Sequence, residues 1–269
     1  MAGDSLPIGA GQPDSNPLPQ PLRPMTSHPF LDRGLTIFKT RLGAPGAEGR
    51  PTSSDPSSPF VTISREACAG ATTLGQHLLP LLNAEMAGEG RAWIFLDRNL
   101  LTRVLAHDSL PEDLEKFLPE KRVSEIQAII GEIVGLHPPL WELEQRVSKG
   151  IYQLARLGCV IFAGRAAHLV TRDLPDGFHL RLIAPLEVRI ARLQAMQGCD
   201  RAAAKKFLEE TDRARKRYVM SNFGQDINDP HTYDLVINTE HILPATAAQL
   251  VLQAMRDKVA NRAVAGPAA

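Results

Sequence analysis

Short apolar runs alternate with amphipathic helical patterns from about residue 59 to residue 259. Runs of four to six mostly apolar, often β-branched residues are typical of buried strands, and they occur at 60–64, 92–96, 159–163, 178–183 and 234–238. Apolar residues at helical spacing predict helices at 72–82, 98–106, 111–133, 139–157, 165–172, 186–196, 201–220 and 244–259. Because strands and helices alternate, the pattern predicts a three-layer α/β/α domain around a five-stranded parallel sheet. Ligands of such folds bind at the carboxyl ends of the strands.

The two ends of the chain have a different composition. Residues 1–58 are rich in Pro, Gly and Ser, and such a segment buries too little apolar surface to offset its ordering entropy, so we expect a disordered tail. One island within it, residues 31–42, carries several apolar residues; it favours a fluctuating short helix, and the alternative is a contact with the domain or with a protein partner. Residues 260–269 predict a flexible C-terminal tail. The folded domain is therefore expected at 59–259.

Bulk composition excludes several classes of protein. The net charge is +0, which gives no general attraction to nucleic acid or to membrane surfaces. No apolar run approaches the roughly 18 residues of a membrane helix, and no secretory signal pattern is present at the N-terminus. The three cysteines, Cys68, Cys159 and Cys199, lack metal-site spacing and fit a reducing compartment. We therefore expect a cytoplasmic protein.

The loop after the first predicted strand has the layout of a phosphate-binding loop. Strand 60–64 leads into a small-residue segment and then a helix, an order in which backbone N–H groups and a helix N-terminus hold phosphates. Against the consensus G-x-x-x-x-G-K-[ST], the second glycine is Gly70 and the hydroxyl residue is Thr72. Arg65 replaces the first glycine and Ala71 replaces the lysine. The alternative interpretation is a plain helix N-terminus capped by threonine.

Further charged residues follow other predicted strands. Asp97 follows the strand at 92–96, and Arg103 lies six positions later in the next helix. Arg165 follows Gly164 directly after strand 159–163, where an arginine can grip a phosphate bidentately. Arg213 and Arg217 are four apart, so they share one face of a basic helix. Each also has a structural interpretation: a helix cap for Asp97, a structural ion pair for Arg165, and a solvated face for the basic helix.

Together these segments resemble the cytidylate kinase family of P-loop nucleoside monophosphate kinases, over roughly residues 59–255. Residues 63–66, Ile-Ser-Arg-Glu, are similar to the start of the phosphate loop in its divergent bacterial branch. Asp97 and Arg103 resemble the ends of the family's substrate-helix motif, and Gly164-Arg165 resembles its G-R-D motif. The segment with Arg213 and Arg217 resembles its lid, and residues 234–239 resemble its closing strand.

The resemblance implies a role for each segment. Gly70, Ala71, Thr72 and Thr73 would hold ATP, and the Thr72 hydroxyl would ligate Mg²⁺. The acceptor, CMP as first candidate, would contact Asp97, Arg103 and Arg165. Arg213 and Arg217 would neutralise charge on the transferred phosphoryl group, with Arg65 replacing the lost lysine. The catalytic residues expected are therefore these last three arginines.

Three departures from the family pattern bear on function. Ala71 stands at the lysine position, Ala166 replaces the aspartate of G-R-D, and Arg98-Asn99 replace small residues in the substrate helix. The leading hypothesis is a kinase acting on a nucleotide or a similar small phosphate acceptor. The second is a nucleotide-binding sensor without useful catalysis, and the third is a P-loop-like scaffold that binds a partner through its proline-rich tail.

Overall fold

The computed structural model describes residues 59–85, 92–97 and 138–265. It contains five strands, at Phe60–Arg65 (β1), Ile94–Leu96 (β2), Val160–Ala163 (β3), Gly177–Ile183 (β4) and Leu235–Asn238 (β5). The α-helices of the described part are Ala71–Glu85 (α1), Pro138–Leu157 (α2), Ala167–Val170 (α3), Leu186–Gln197 (α4), Arg201–Phe223 (α5) and Pro244–Ala265 (α6). A 3₁₀ turn, Pro230–Thr232, precedes β5.

All five predicted strands are present, and they form one sheet in the order β2-β3-β1-β4-β5. Every pairing is parallel, with β1 in the centre between β3 and β4. The α/β fold with a five-stranded parallel sheet is therefore confirmed. The central position of β1 places the loop that follows it at the middle of the sheet's carboxyl edge.

Helices cover both faces of the sheet, and each covered face has its own core. On one face, α1 and α6 pack on Val61, Ile63 and Leu180. On the other face, α2 and α3 pack on Phe60 and Phe162. The predominance of apolar residues in the strands follows from this two-sided burial, because both faces of a parallel sheet must be covered.

The described helices begin and end close to their predicted limits, with two exceptions. The helix predicted at 165–172 is only the single turn Ala167–Val170, because Arg165 and Ala166 adopt left-handed backbone angles. The last helix continues past residue 259 to Ala265. The predicted helices at 98–106 and 111–133 and the N-terminal tail 1–58 lie outside the described residues. None of the described helices combines the length and apolar character needed to cross a bilayer.

Candidate functional site

Side chains hold the backbone of the loop between β1 and α1 in place. Three consecutive carbonyl oxygens each accept a side-chain hydrogen bond: Ala67 from Arg189 Nη1 at 3.3 Å, Cys68 from Arg192 Nη1 at 3.4 Å, and Ala69 from Thr239 Oγ1 at 3.0 Å. Two amides of the same segment are engaged as well, since Ala67 N donates to a side-chain carboxylate at 2.7 Å and Ala69 N to a backbone carbonyl at 3.3 Å. The segment is therefore fixed on both its carbonyl and its amide side.

The first turn of α1 adds further N–H groups to the same loop. The amides of Ala71, Thr72 and Thr73 precede the first intrahelical bond, which is donated by Leu74 N to Gly70 O at 2.9 Å. Gly70 has φ +91°, and no atom lies within 4 Å of the position of a Cβ there. That open space above the backbone lets a phosphate approach the N–H groups closely.

Ala71, at the position of the consensus lysine, is 7% exposed and packs into the core formed with α1 and α6. Two arginines of α4, Arg189 and Arg192, lie behind the loop carbonyls. The charge of buried Arg189 is balanced by Asp212 at 2.6 Å and Glu66 at 3.5 Å. Arg192 donates instead to neutral oxygens, so it places a positive charge behind a loop that has no lysine of its own.

Helix α5 is fastened to the first half of this loop. Asp212 accepts a hydrogen bond from Ala67 N at 2.7 Å and pairs with Arg189 Nη1 at 2.6 Å through its second oxygen. Three residues later, Arg215 Nη1 donates to Arg65 O at 3.0 Å. These contacts place one face of α5 directly over the end of β1.

A cavity of about 370 Å³ lies beside the loop, between the ends of β1 and β3 and helices α3 and α5. Its polar lining comprises Thr62, Ser64 and His168 together with the arginines Arg65, Arg165 and Arg215. Its apolar wall includes Tyr218, Val219 and Ile227. The volume and the mixed lining are those of a small-molecule site, and three guanidinium groups make it suited to an anionic ligand.

Arg165 is brought to this cavity by an unusual stretch of backbone. Gly164, Arg165 and Ala166 have φ values of +97°, +54° and +49°. Two of the three are not glycine, and such conformations cost of order 1–3 kcal/mol each and cluster at functional sites. The turn ends β3 abruptly and directs the chain across the carboxyl edge of the sheet.

The polar groups beneath the cavity form a chain of hydrogen bonds with a fixed direction. Tyr233 Oη lies 2.8 Å from Ile227 O, which only accepts, so Tyr233 gives its proton there. Ser64 Oγ, 3.1 Å from Tyr233 Oη, must then donate to it, while accepting from Arg181 Nη1 at 3.0 Å. Ser64 is thus engaged as both donor and acceptor.

His168 differs from these neighbours. Its side chain is buried, its ring stacks on Tyr233 with centroids 4.8 Å apart, and its Nε2 has no hydrogen-bond partner among the described residues. Burial, and then the positive charges of His179 and Arg181, lower the pKa of His168 to about 3. The cavity is therefore lined in part by a neutral imidazole with one unused hydrogen-bonding nitrogen.

The structure brings some predicted site residues together and places others apart. Gly70 to Thr73 lie at the end of the loop after β1 and in the first turn of α1, while Arg65 and Arg165 line the cavity. Asp97 directly follows β2 and is partly exposed, and Arg103 lies outside the described residues. Arg213 and Arg217 are exposed on α5 and are not among the described residues that line the cavity.

Sequence reasoning did not single out several residues of this site: Asp212, Arg215, His168, Arg189 and Arg192. A signal was available for the first two, since Asp212 and Arg215 are three apart and share a helical face. No sequence pattern marked the other three, because their contacts span the sheet.

A family profile decides the relationship of this chain to known proteins. The profile described as "Cytidylate kinase-like family" matches residues 60–241. The chain belongs to the cytidylate kinase-like family. The match covers the phosphate loop, the cavity and α5, so the site lies wholly inside the family's domain.

Curated relatives include proteins named cytidylate kinase from two archaea. The protein from Pyrococcus horikoshii (strain ATCC 700860 / DSM 12428 / JCM 9974 / NBRC 100139 / OT-3) is 32% identical over 121 residues, covering 45% of this chain and 60% of that protein. The protein from Thermoplasma volcanium (strain ATCC 51530 / DSM 4299 / JCM 9571 / NBRC 15438 / GSS1) is 30% identical over 109 residues, covering 40% of this chain and 57% of that protein. The matched segment thus spans 57–60% of these relatives' own length.

A solved structure shares the fold. An uncharacterized protein from Eubacterium ventriosum ATCC 27560 superposes with a TM-score of 0.58 at 19% identity, over 74% of this chain and 99% of that chain. At this identity the likeness concerns the fold alone.

Proposed function

We propose that this protein transfers a phosphoryl group from ATP to a nucleoside monophosphate, with CMP or dCMP as the first candidate acceptors. One observation carries the proposal: an anion-binding backbone loop adjoins a cavity that holds three arginines, Arg65, Arg165 and Arg215. Two neighbouring anion sites of different construction suit a donor triphosphate and an acceptor monophosphate. Membership of the cytidylate kinase-like family supports the same reaction class.

The donor triphosphate would bind to the N–H groups of Gly70, Ala71, Thr72 and Thr73. These groups stabilise anions through directed hydrogen bonds and the positive end of the α1 dipole. Arg192, held behind the loop carbonyls, adds positive charge from a fixed position. This preorganised field would offset part of what a lysine at position 71 would supply.

Mg²⁺ would be held at Thr72 together with phosphate oxygens of the donor. The Thr72 side chain is partly exposed at the start of α1 and makes no hydrogen bond to another described residue, so its hydroxyl fits this role. No group of three or more His, Cys, Asp or Glu side chains in residues 59–85, 92–97 and 138–265 is arranged to hold a metal. Mg²⁺ commonly binds in this way, through one or two protein oxygens plus substrate phosphates and water. When bound, it neutralises charge on the transferred group.

The acceptor would occupy the cavity, with its phosphate facing the arginines. Arg165, at the end of β3, and Arg215, on α5, both line the cavity and come from different elements of the fold. Phosphoryl transfer needs positioning and charge stabilisation rather than a covalent nucleophile, and arginines supply both. Asp97 and Arg103 stay predictions as acceptor-binding residues, and Arg213 and Arg217 stay predictions as catalytic residues.

A second candidate function is a nucleotide sensor that binds ATP without useful turnover. The observation that favours it is Ala71, whose burial in the core leaves no cation at the consensus lysine position. The cavity with its three arginines favours the kinase, because a sensor of ATP alone has no use for a second anion site.

Acceptor-dependent turnover separates these functions. Purified protein with Mg²⁺ and ATP is mixed with each nucleoside monophosphate in turn, and ADP release is followed. A kinase releases ADP only with its acceptor, and Arg165→Ala abolishes that release. Thermal stabilisation by ATP without ADP release would favour the sensor, and neither effect would contradict both. A cytoplasmic location and a protein partner for the N-terminal tail stay predictions from sequence.

A further inference from the structure

The side chain of Arg65 extends across the sheet toward the end of the neighbouring strand, β3. Arg65 is the last residue of β1, and by strand alternation it shares a face with Val61 and Ile63, on which α1 packs. Its guanidinium lies instead over Gly164 at the end of β3. A Cβ built on Gly164 would be 1.9 Å from Arg65 Nη1 and 2.9 Å from its Cζ.

This direction of the side chain puts the charge of Arg65 in the cavity rather than over residues 70–73. Arg65, Gly164 and Arg165 all line the cavity, whereas residues 70–73 are not among the described residues that do so. The third arginine of the cavity, Arg215, holds the Arg65 carbonyl at 3.0 Å. Asp212 lies 3.6 Å from Arg215, and its other oxygen is engaged by Arg189 at 2.6 Å.

The backbone at this position does not need the glycine of the consensus motif. Arg65 is paired as an ordinary strand residue with Leu182 of β4, and its φ is not among the positive values. A long side chain can therefore stand at position 65, provided that the neighbouring strand leaves space for its end. Gly164 provides that space, because any side chain there would occupy the position of the guanidinium.

From this geometry we propose that Arg65 binds the phosphate of the acceptor and does not replace the missing lysine at the donor triphosphate. The inference rests on the proposed function, of which it deepens the acceptor side. A guanidinium fork matches a phosphate bidentately, and Arg65 and Arg165 end on neighbouring strands at one edge of the sheet. Arg65 then belongs to the site for the monophosphate, and the ATP site depends on backbone amides.

The test is a pair of calorimetric titrations on the full chain. One measures binding of the nucleoside monophosphate panel in the absence of ATP, and the other measures binding of a non-hydrolysable ATP analogue with Mg²⁺. We expect Arg65→Ala to weaken binding of the preferred monophosphate about 10- to 100-fold, the usual range for a lost charge-assisted contact. Affinity for the ATP analogue should change less than about twofold, within the scatter of surface substitutions.

Two further variants control the comparison. Arg172→Ala removes an exposed arginine paired only at 3.5 Å with its neighbour Asp173, and both affinities should be unchanged. Gly164→Ala should weaken monophosphate binding in the wild-type background, through displacement of the Arg65 guanidinium and through backbone strain at φ +97°. Combined with Arg65→Ala, only the strain remains, so the effects of the two substitutions on monophosphate affinity should be less than additive.

Three results would overturn the inference. If Arg65→Ala weakens binding of the ATP analogue and leaves binding of the monophosphate unchanged, Arg65 replaces the missing lysine at the donor triphosphate. Equal loss of both affinities would show that Arg65 does not distinguish the two sites. A wild-type protein that binds no nucleoside monophosphate would contradict the proposed function as well, a failure visible before any variant is made.

Discussion

The phosphate loop and the arginine cavity lie side by side, yet they are built in opposite ways. In the loop, hydrogen bonds from α4 and Thr239 fix the carbonyls of residues 67–69, and the backbone N–H groups at the start of α1 follow directly. In the cavity, side chains rather than backbone carry the charge, and His168 Nε2 has no hydrogen-bond partner among the described residues. The loop is suited to a phosphate chain of constant shape. The cavity is suited to a ligand whose identity must be recognised.

This difference indicates where substitutions can be tolerated. A site formed by backbone N–H groups depends on conformation, so residues 65 and 71 can depart from the consensus while the amides keep their direction. A cavity depends on the side chains that line it, so the loss of one guanidinium there removes a contact that no neighbour reproduces. Substitutions in the cavity should therefore affect acceptor chemistry, and substitutions behind the loop should affect stability and donor binding.

The largest effect is expected from Arg215→Ala. Its guanidinium lines the cavity and contacts the end of β1, where the transferred group would pass. Removing one preorganised donor from a transferring group typically lowers kcat about 10²- to 10³-fold. The measurement is acceptor-dependent ADP release. A kcat within threefold of wild type, roughly 0.7 kcal/mol, would place Arg215 outside the reaction.

The next effect is on stability and comes from Asp212→Asn. The substitution weakens the 2.6 Å ion pair with buried Arg189 while it can keep the acceptor for Ala67 N. We expect a loss of about 2 kcal/mol in the free energy of unfolding, measured in urea. The exposed pair of Lys216 with Asp226, at 3.7 Å, is the control, and Asp226→Asn should cost less than about 0.5 kcal/mol. Equal losses of unfolding free energy in the two variants would show that the contacts of Asp212 with the loop do not stabilise the fold.

A comparable effect is expected from pH, through the buried histidines. The pKa values of His168 and His179 are lowered to about 3 and about 4, in both cases chiefly by burial. Below the ordinary histidine pKa of about 6.5, the unfolded chain therefore binds more protons than the folded chain. The contribution of these neutral histidines to stability is fully present above that pH and is lost progressively as the pH drops toward 4. From pH 7 to pH 5 each histidine should contribute about 2 kcal/mol to the loss.

The substitution His168→Gln removes the contribution of His168 to this pH dependence of stability. The variant should lose about 2 kcal/mol less stability than the wild type between pH 7 and pH 5, as measured by urea unfolding at each pH. His241, which is 87% exposed, provides the control, and His241→Gln should leave the pH dependence unchanged. A His168→Gln profile parallel to that of the wild type would mean that His168 is not held neutral.

The smallest effect is expected from the exposed arginines of α5. Arg213 and Arg217 project into solvent, where a charge acts weakly and is screened by salt. In the arrangement described, Arg213→Ala and Arg217→Ala should each lower kcat about two- to threefold, far less than Arg215→Ala. A loss of kcat as large as that of Arg215→Ala would show that the face of α5 with Arg213 and Arg217 contacts the transferred group during the reaction.

Much of the fold follows from the sequence, because local patterns determine its parts. Five short apolar runs predicted the five parallel strands, and helical periodicity set most helix limits within a few residues. The strand, loop and helix around Gly70 and Thr72 were also predicted in the right order, while phosphate binding by this loop stays a prediction. These features depend on neighbouring residues, which a sequence displays directly.

The construction of the site was less predictable, because it depends on contacts across the sheet. Arg65 could be identified as a cation in the loop, but its direction is set by the space at Gly164, about 100 positions away in the chain. Among the α5 arginines, helical spacing alone does not say which face meets the sheet, and Arg215 rather than Arg213 or Arg217 lines the cavity. His168 carried no motif at all.

The most direct test of two separate anion sites is simultaneous binding. The monophosphate that supports ADP release is titrated into protein saturated with Mg²⁺ and a non-hydrolysable ATP analogue, and its affinity is compared with that for the free protein. If the loop and the cavity hold different ligands, the monophosphate binds one per chain in both titrations with similar or higher affinity in the presence of the analogue. Displacement of one nucleotide by the other would show a single shared site and contradict the account.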